Sequence, residues 1–290
     1  EADDEHVYTL SLEQGVQYRF AARVLELEHW HIEPGTLEKT VDGVPAALDA
    51  VTLVTELRDV LGIGPAALPI YLEEITATLY SMAYKIAHGG PRAADFVDGD
   101  FQRIEAAMTE GHPAFVANSG RIGFDSIDYR SYTPEAAAPI RLVWIAAHTS
   151  RAEFACSADR SYAEHMAAEL DAATHAAFTA RLTDRGLDAA DYRFMPVHPW
   201  QWHNKLVYLF AGEIATGHLV YLGFGQDTYQ AQQSIRTLFN RDHPTRCYVK
   251  MALSILNMGF TRGLSPYYMR GTPEINDWID TLVRSDDYLQ

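Results

Sequence analysis

The run Gln232-Gln233-Ser234-Ile235-Arg236-Thr237-Leu238-Phe239 is followed, across Asn240 to Thr245, by Cys247-Tyr248-Val249-Lys250-Met251-Ala252-Leu253-Ser254-Ile255-Leu256. Tyr229 to Phe239 and Cys247 to Leu256 read as strands, and the segment between them is rich in turn formers, so the pair predicts a β-hairpin. Period two then puts Ser234 and Arg236 on one face with Ile235 in the core. Tyr248, Lys250 and Ala252 alternate with Val249, Met251 and Leu253, so Lys250 joins Arg236 over one site. Outward from this hairpin the elements never settle into regular strand-helix-strand alternation. Upstream, Phe194 to His198 and His218 to Gly223 read as strands around a helix from Pro199 to Thr216. Ile140 to Ala147 is an apolar run fit for a buried strand, and Tyr162 to Leu182 reads as one helix. Nearer the N-terminus, residues 16 to 32 and Thr36 to Val41 predict two or three strands with tight turns. Ala47 to Leu61 and Leu68 to Ile86 predict helices, and Thr272 to Arg284 closes the chain as another. Helices that precede and interrupt antiparallel strands indicate a mixed α+β fold, with a boundary near Tyr132-Thr133-Pro134-Glu135.

The chain has 290 residues, 23 Lys+Arg, 39 Asp+Glu and a formal net charge of −16. Such acidity repels phosphodiester backbones and anionic lipid, which excludes a general nucleic-acid binder and a polybasic membrane-surface protein. Any bound anion has to be gripped by a local basic pocket. The two cysteines, Cys156 and Cys247, lie far apart without Cys-x-x-Cys spacing, so neither a disulfide framework nor a thiolate zinc site is expected, and a reducing cytoplasm is. No stretch approaches ~20 uninterrupted apolar residues, and the opening Glu-Ala-Asp-Asp-Glu is unlike a secretion signal. Because residue 1 is Glu and the last residues close on a helical pattern, a fragment of a longer protein is expected.

Within this acidic chain, Ser234 to Arg262 holds five basic residues, Arg236, Arg241, Arg246, Lys250 and Arg262, against the single acid Asp242. A hydroxyl and a guanidinium on one face suit phosphate, because Arg offers a planar fork of donors and Ser adds another. A second dense patch, Glu110-Gly111-His112-Pro113 followed by Ala117-Asn118-Ser119-Gly120-Arg121-Ile122-Gly123-Phe124, combines glycines with donors for an anion or carboxylate. A third, Val197-His198-Pro199-Trp200-Gln201-Trp202, stands at the exit of a strand. Other motifs read as structure. Gly62-Ile63-Gly64-Pro65-Ala66-Ala67 fits a dinucleotide fingerprint, but it follows a helix and Pro65 removes an N–H, so it reads as a helix-loop-helix connection. His29-Trp30-His31 puts two imidazoles on one strand face with no third ligand at a familiar spacing, so no metal site is assigned. Walker A, Gly-x-Ser-x-Gly and His-Glu-x-x-His motifs are absent.

Taken in order, these patches resemble the siderophore synthetases that work independently of nonribosomal peptide synthetases, and most nearly the desferrioxamine synthetase branch. The resemblance rests on residues 110–124, Pro139 to Trp144, Pro196 to Trp202, Gln232 to Thr237 and Tyr248 to Leu264. It implies a thumb, fingers and palm architecture. The helical, small-sheet thumb would span residues 1–135, the mainly antiparallel fingers 136–290, and the palm would lie beyond this chain. It also implies an ATP-dependent, magnesium-using ligase of the cytoplasm, a homodimer at full length. Such an enzyme adenylates the carboxylate of a succinylated hydroxamate of a diamine, then condenses it with an amine into a desferrioxamine-type oligomer or macrocycle.

Carried over by position, the resemblance gives Ser234, Arg236, Thr237, Lys250 and Arg262 to the nucleotide phosphates. It places His112, Lys250 and Arg262 at the reacting centre and gives Asn118, Arg121, His198 and Asn257 to the substrate. The magnesium ligands would belong to the missing half, so the fragment alone is expected to be inactive. Two departures bear on the acyl group. Citrate-using relatives commonly read Gly-His-Pro-x-His-Pro with a later Lys where this chain has Phe115, Val116 and Ser119, and a Thr-Ser pair where it has Met258-Gly259. Both changes remove polar groups, which disfavours a tricarboxylate. A citrate-type synthetase and an inactive ligand-binding relative remain the alternatives.

Overall fold

Successive residues Leu142 to Ala147 are all buried, as a strand covered on both faces requires. The computed structural model describes residues 6–89, 92–107, 111–112, 115–286 and 288. Its contacts divide the chain into two units, residues 1–80 and 81–290.

In the first unit, β1 (His6–Ser11), β2 (Val16–Leu25), β3 (His29–Ile32), β4 (Glu38–Val41) and β5 (Val44–Ala46) form one antiparallel sheet. β2 is its centre, paired with β1 along one edge and with β3 and β4 in succession along the other. The first strand, β1, was not among the predicted strands. Helix α1 (Ala50–Leu57) starts at Asp49, whose carboxylate accepts from the Thr52 amide. A half-buried ionic contact ties α1 to the sheet: Glu56 accepts from Lys39 Nζ at 2.7 Å and from the Tyr18 hydroxyl at 2.5 Å. Burial pushes the Glu56 carboxyl up, but these two donors outweigh it and hold the group below its usual range. The Gly62 to Ala67 segment is indeed the connection from α1 to α2 (Leu68–Ala87), and the unit boundary falls inside α2.

The second unit is built on β6 (Ile140–His148), β7 (Tyr192–Val197), β8 (Leu219–Ala231), β9 (Thr237–Asn240) and β10 (Val249–Lys250), in the order β10-β9-β8-β6-β7 and antiparallel throughout. Trp144 and Ala146 point to one face and pack with Met166, Leu170, Phe178 and Leu182. Val143 and Ile145 point to the other and pack with Trp202, Leu206 and Ile214. Helices α3 (Phe101–Ala107) and α4 (Ser126–Tyr132) precede the sheet.

Several elements differ from expectation. The single helix expected over 162–182 is two, α5 (Tyr162–Glu169) and α6 (Ala172–Thr183), because Leu170 is extended and Asp171 caps a new helix through the Thr174 amide at 2.8 Å. The helix expected from Pro199 to Thr216 is present but uneven: α7 (Pro199–Gln201) continues through a π turn over Trp202–Leu206 into α8 (Val207–Leu209), and α9 (Ala211–Ala215) follows after a break at Phe210. β8 is one long strand where two pieces were expected. Its register against β6 shifts twice, and Gly225 lies so close under Trp144 that a Cβ there would be 2.7 Å from the indole nitrogen.

The hairpin exists in a shorter form: Val249 opposes Leu238 and Lys250 opposes Thr237. Ser234 to Arg236 is not strand but a tight turn, with Ile235 at φ +39 and still buried. The second expected strand divides, and β11 (Leu253–Asn257) pairs with β12 (Phe260–Arg262) in a separate two-stranded sheet. Its loop residues Met258 and Gly259 both have positive φ, as two-residue hairpin turns demand. Helix α10 (Pro266–Val283) ends the unit.

Candidate active site

A cavity of about 430 Å³ opens in the second unit where five segments of the sequence meet. His112 comes from the loop after α3, Asn118, Ser119 and Arg121 from the glycine-rich loop, Glu135 from the turn after α4, Ser234 and Arg236 from the tight turn before β9, and Asn257, Met258 and Arg262 from the β11–β12 hairpin. Backbone pairing fixes these loops to one another. Ile122 and Leu256 exchange amide hydrogen bonds of 2.9 and 3.0 Å, so the glycine-rich loop and β11 move as one piece. The Arg236 carbonyl accepts from the Met251 amide at 2.9 Å, and its guanidinium donates to the Gly263 carbonyl. Gly111, at φ +57, lies against Asn118, whose Cγ would stand 2.7 Å from a Cβ placed there, so a side chain at 111 is excluded.

The structure therefore brings together His112, Asn118, Arg121, Ser234, Arg236, Asn257 and Arg262. It does not bring Thr237, Lys250 or His198 to the cavity wall. Lys250 is exposed on β10 opposite Thr237, because the turn at 234–236 breaks the two-residue period that was to align it with Arg236. His198 is fully buried. Its Nδ1 accepts from the Trp200 amide at 3.2 Å, capping α7, and its ring packs edge-on to Tyr132 at 4.8 Å. Burial pushes its pKa down to about 3, so the imidazole is neutral. His198 is a core and capping residue here rather than a substrate contact.

Arg121 has a different role from the one expected. Its side chain is 10% exposed and its guanidinium forks onto the Glu135 carboxylate, whose side chain is 5% exposed. The Tyr129 hydroxyl donates to the same carboxylate at 2.5 Å, Ser81 reaches it at 3.2 Å, and the Arg121 guanidinium lies over the Tyr129 ring. Burial pushes Glu135 up, but the Arg121 charge and these hydrogen bonds hold it ionised below its usual range. Burial and the neighbouring carboxylate push the Tyr129 phenol upward, so it stays a donor. The positive charge of Arg121 is thus neutralised inside the wall, whereas Arg236, Arg262, Ser234 and His112 line the same cavity without sharing that carboxylate. Sequence reasoning missed Glu135, which it had used only as a boundary mark. A buried arginine needing a carboxylate was the available signal.

This donor set fits phosphate or carboxylate oxygens. Among the described residues no group of three or more His, Cys, Asp or Glu side chains gathers that could hold a metal ion. No helix among them is long and apolar enough to cross a membrane.

A family model described as the IucA / IucC family matches residues 100–290. The chain belongs to this family. It is 50% identical over 272 residues to the putrebactin synthase of Shewanella sp. (strain MR-4), covering 94% of this chain and 43% of that protein. It is 29% identical to the aerobactin synthase of Escherichia coli, over 100% of this chain and 48% of that one. Among solved structures, the petrobactin biosynthesis protein AsbB of Bacillus anthracis superposes with a TM-score of 0.87 at 29% identity, over 100% of this chain and 48% of that one. Aerobactin synthetase IucC of Klebsiella pneumoniae gives 0.82 at 30% identity, over 100% and 51%. The mixed helix and antiparallel-sheet architecture is that of the family, and the chain spans about half the length of the relatives it matches.

Proposed function

We propose that this chain carries the anion-binding site of an ATP-dependent siderophore synthetase. The observation that carries the proposal is the convergence of Ser234, Arg236, Arg262 and His112 on one cavity in a chain of net charge −16. The 50% identity to a putrebactin synthase supports it. In the reaction, a carboxylate oxygen attacks the α-phosphorus of ATP, the bond to the β-phosphate breaks and pyrophosphate leaves. An amine nitrogen then attacks the acyl carbon, loses a proton and displaces AMP. Both steps pass through crowded anionic states, which preorganised guanidinium and hydroxyl donors stabilise more than the ground state. Arg236, held by the Gly263 carbonyl, and Ser234 on the same turn would bind phosphate oxygens. Arg262 would bridge phosphate and carboxylate, with His112 contacting the reacting oxygens. Magnesium would neutralise phosphate charge through ligands supplied outside this chain, so residues 1–290 alone should release no pyrophosphate.

For the acid, we propose a succinylated hydroxamate of a diamine. The cavity wall has Met258 at its β-turn, and Phe115 stands in the glycine-rich loop, where a tricarboxylate would want polar partners. The deciding experiment offers the full-length protein succinyl hydroxamates and citrate with ATP and traps activated acyl groups with hydroxylamine. Trapping of the hydroxamate acid is expected, and activation of citrate alone would overturn the substrate class. Arg236→Ala should lower kcat/KM by about 10²-fold or more, the scale of a lost transition-state donor. Wild-type activity in that variant would remove Arg236 from the site.

A further inference from the structure

Behind the Glu135 wall lies a second cavity of about 240 Å³, and Ala106, Pro134 and Glu135 line both. Its far side is formed by Tyr84, Lys85 and His88 at the end of α2, with Phe96 and Arg103 facing them. The aromatic groups are ordered by contact: His88 stacks on Tyr84 at 4.0 Å, its Nδ1 is 2.8 Å from the Tyr84 carbonyl oxygen, and the Arg103 guanidinium sits over the Phe96 ring at 5.4 Å. The described lining is thus largely apolar with the basic side chains of Lys85, His88 and Arg103, and the acid among these described residues, Glu135, is paired with Arg121 from the first cavity. Such a chamber suits an apolar chain ending in a carboxylate, because the chain gains from burial while the anion meets cations instead of bulk water.

We propose that this second cavity is the subsite for the amine-bearing reactant, and that it recognises a free carboxylate at the end of that reactant distant from the amine. The proposal rests on the function argued above, since a building block joined to copies of itself carries an amine at one end and a carboxylate at the other. One copy presents its carboxylate to Arg236 and Arg262 for activation. The incoming copy has to hold its own carboxylate somewhere else while its amine reaches the activated acyl carbon, and the second cavity meets the first along the Ala106, Pro134 and Glu135 wall. The Arg121–Glu135 pair between the cavities keeps that wall neutral. An unpaired carboxylate there would hold the amine in its protonated, unreactive form, and an unpaired guanidinium would capture the wrong end of the molecule.

The test uses the full-length protein with ATP and an amine-blocked acid as the only scored acyl donor. Two nucleophiles are compared by mass spectrometry of the mixed amide, one with a free distal carboxylate and the other its methyl ester. Hydroxylamine trapping reports the first half-reaction separately. The wild type should prefer the free acid over the ester by at least tenfold in KM. Arg103→Ala should reduce that preference to near unity by raising KM for the acid alone, and Arg103→Lys should restore part of it. Equal KM values for acid and ester in the wild type, with trapping intact, overturn the subsite and leave the proposed function standing. Loss of trapping in step with amide formation in Arg103→Ala also overturns it, since the residue would then serve the first cavity. No trapping of the acid by the wild type overturns the proposed function itself and the subsite with it.

Discussion

Arg121 and Glu135 illustrate how a residue's environment decides its role. A guanidinium in a glycine-rich loop reads as an anion donor, yet here it is sealed against a carboxylate with Tyr129 and Ser81 completing the shell. Removing one partner of such a buried pair leaves an uncompensated charge, so Glu135→Ala should destabilise the second unit by roughly 3–5 kcal/mol. Glu135→Gln, which keeps an acceptor oxygen, should cost clearly less. Urea unfolding of the two variants checks the order. His198 gives a pH prediction of definite sign. Its folded pKa lies far below that of an unfolded histidine because of burial, so the unfolded chain binds the extra proton. The contribution of neutral His198 is complete above about pH 6.5 and is lost progressively as pH falls from there toward 3. His198→Asn keeps a cap acceptor but does not titrate in that range. The stability gap between wild type and variant should therefore shrink between pH 7 and pH 5, and a constant gap would mean that His198 is not the buried neutral group described.

The elements that sequence made legible were those with one dominant period. The apolar run of β6 and the three-and-four spacing of α2 formed as read, with ends close to those expected. The elements that escaped were those where a local device interrupts the period. Asp171 starts a new helix in an otherwise continuous helical pattern, and the expected strand stops at Gly223 although β8 runs on through Gly225, shifting register past Trp144. Gly225→Ala tests this directly. Its methyl group would press on the indole nitrogen, and overpacking of this kind typically costs about 1–3 kcal/mol, measurable by thermal unfolding with Trp fluorescence following the Trp144 site. The candidate site was legible in composition and not in conformation. Ser234 and Arg236 do face one cavity, but they do so from a turn with Ile235 at positive φ, a geometry that β alternation cannot foretell. Lys250 was assigned through that same alternation and consequently lies elsewhere.

Over the whole molecule the acidity is uneven. Residues 1–80 hold 15 acidic and 4 basic side chains, while residues 81–290 hold 24 and 19. The unit that contains the cavity is therefore close to balanced, and the first unit carries most of the self-repulsion. Raising ionic strength from about 0.01 M to about 0.1 M shortens the screening length from about 30 Å to about 10 Å. Calorimetry should accordingly show the transition of the first unit moving to higher temperature, with the second changing less. A shift confined to the second unit would contradict this division of charge.

The two-residue turn at Met258-Gly259 has a bearing on how such a site can change over generations. Met258 occupies a left-handed backbone conformation that favours Asn, Asp or Gly, and its side chain also borders the cavity. Substitution there by Asn relieves backbone strain while adding a polar group to the cavity wall. A position where the fold gains from the same replacement that alters the cavity is a low-cost route for diversifying its chemistry.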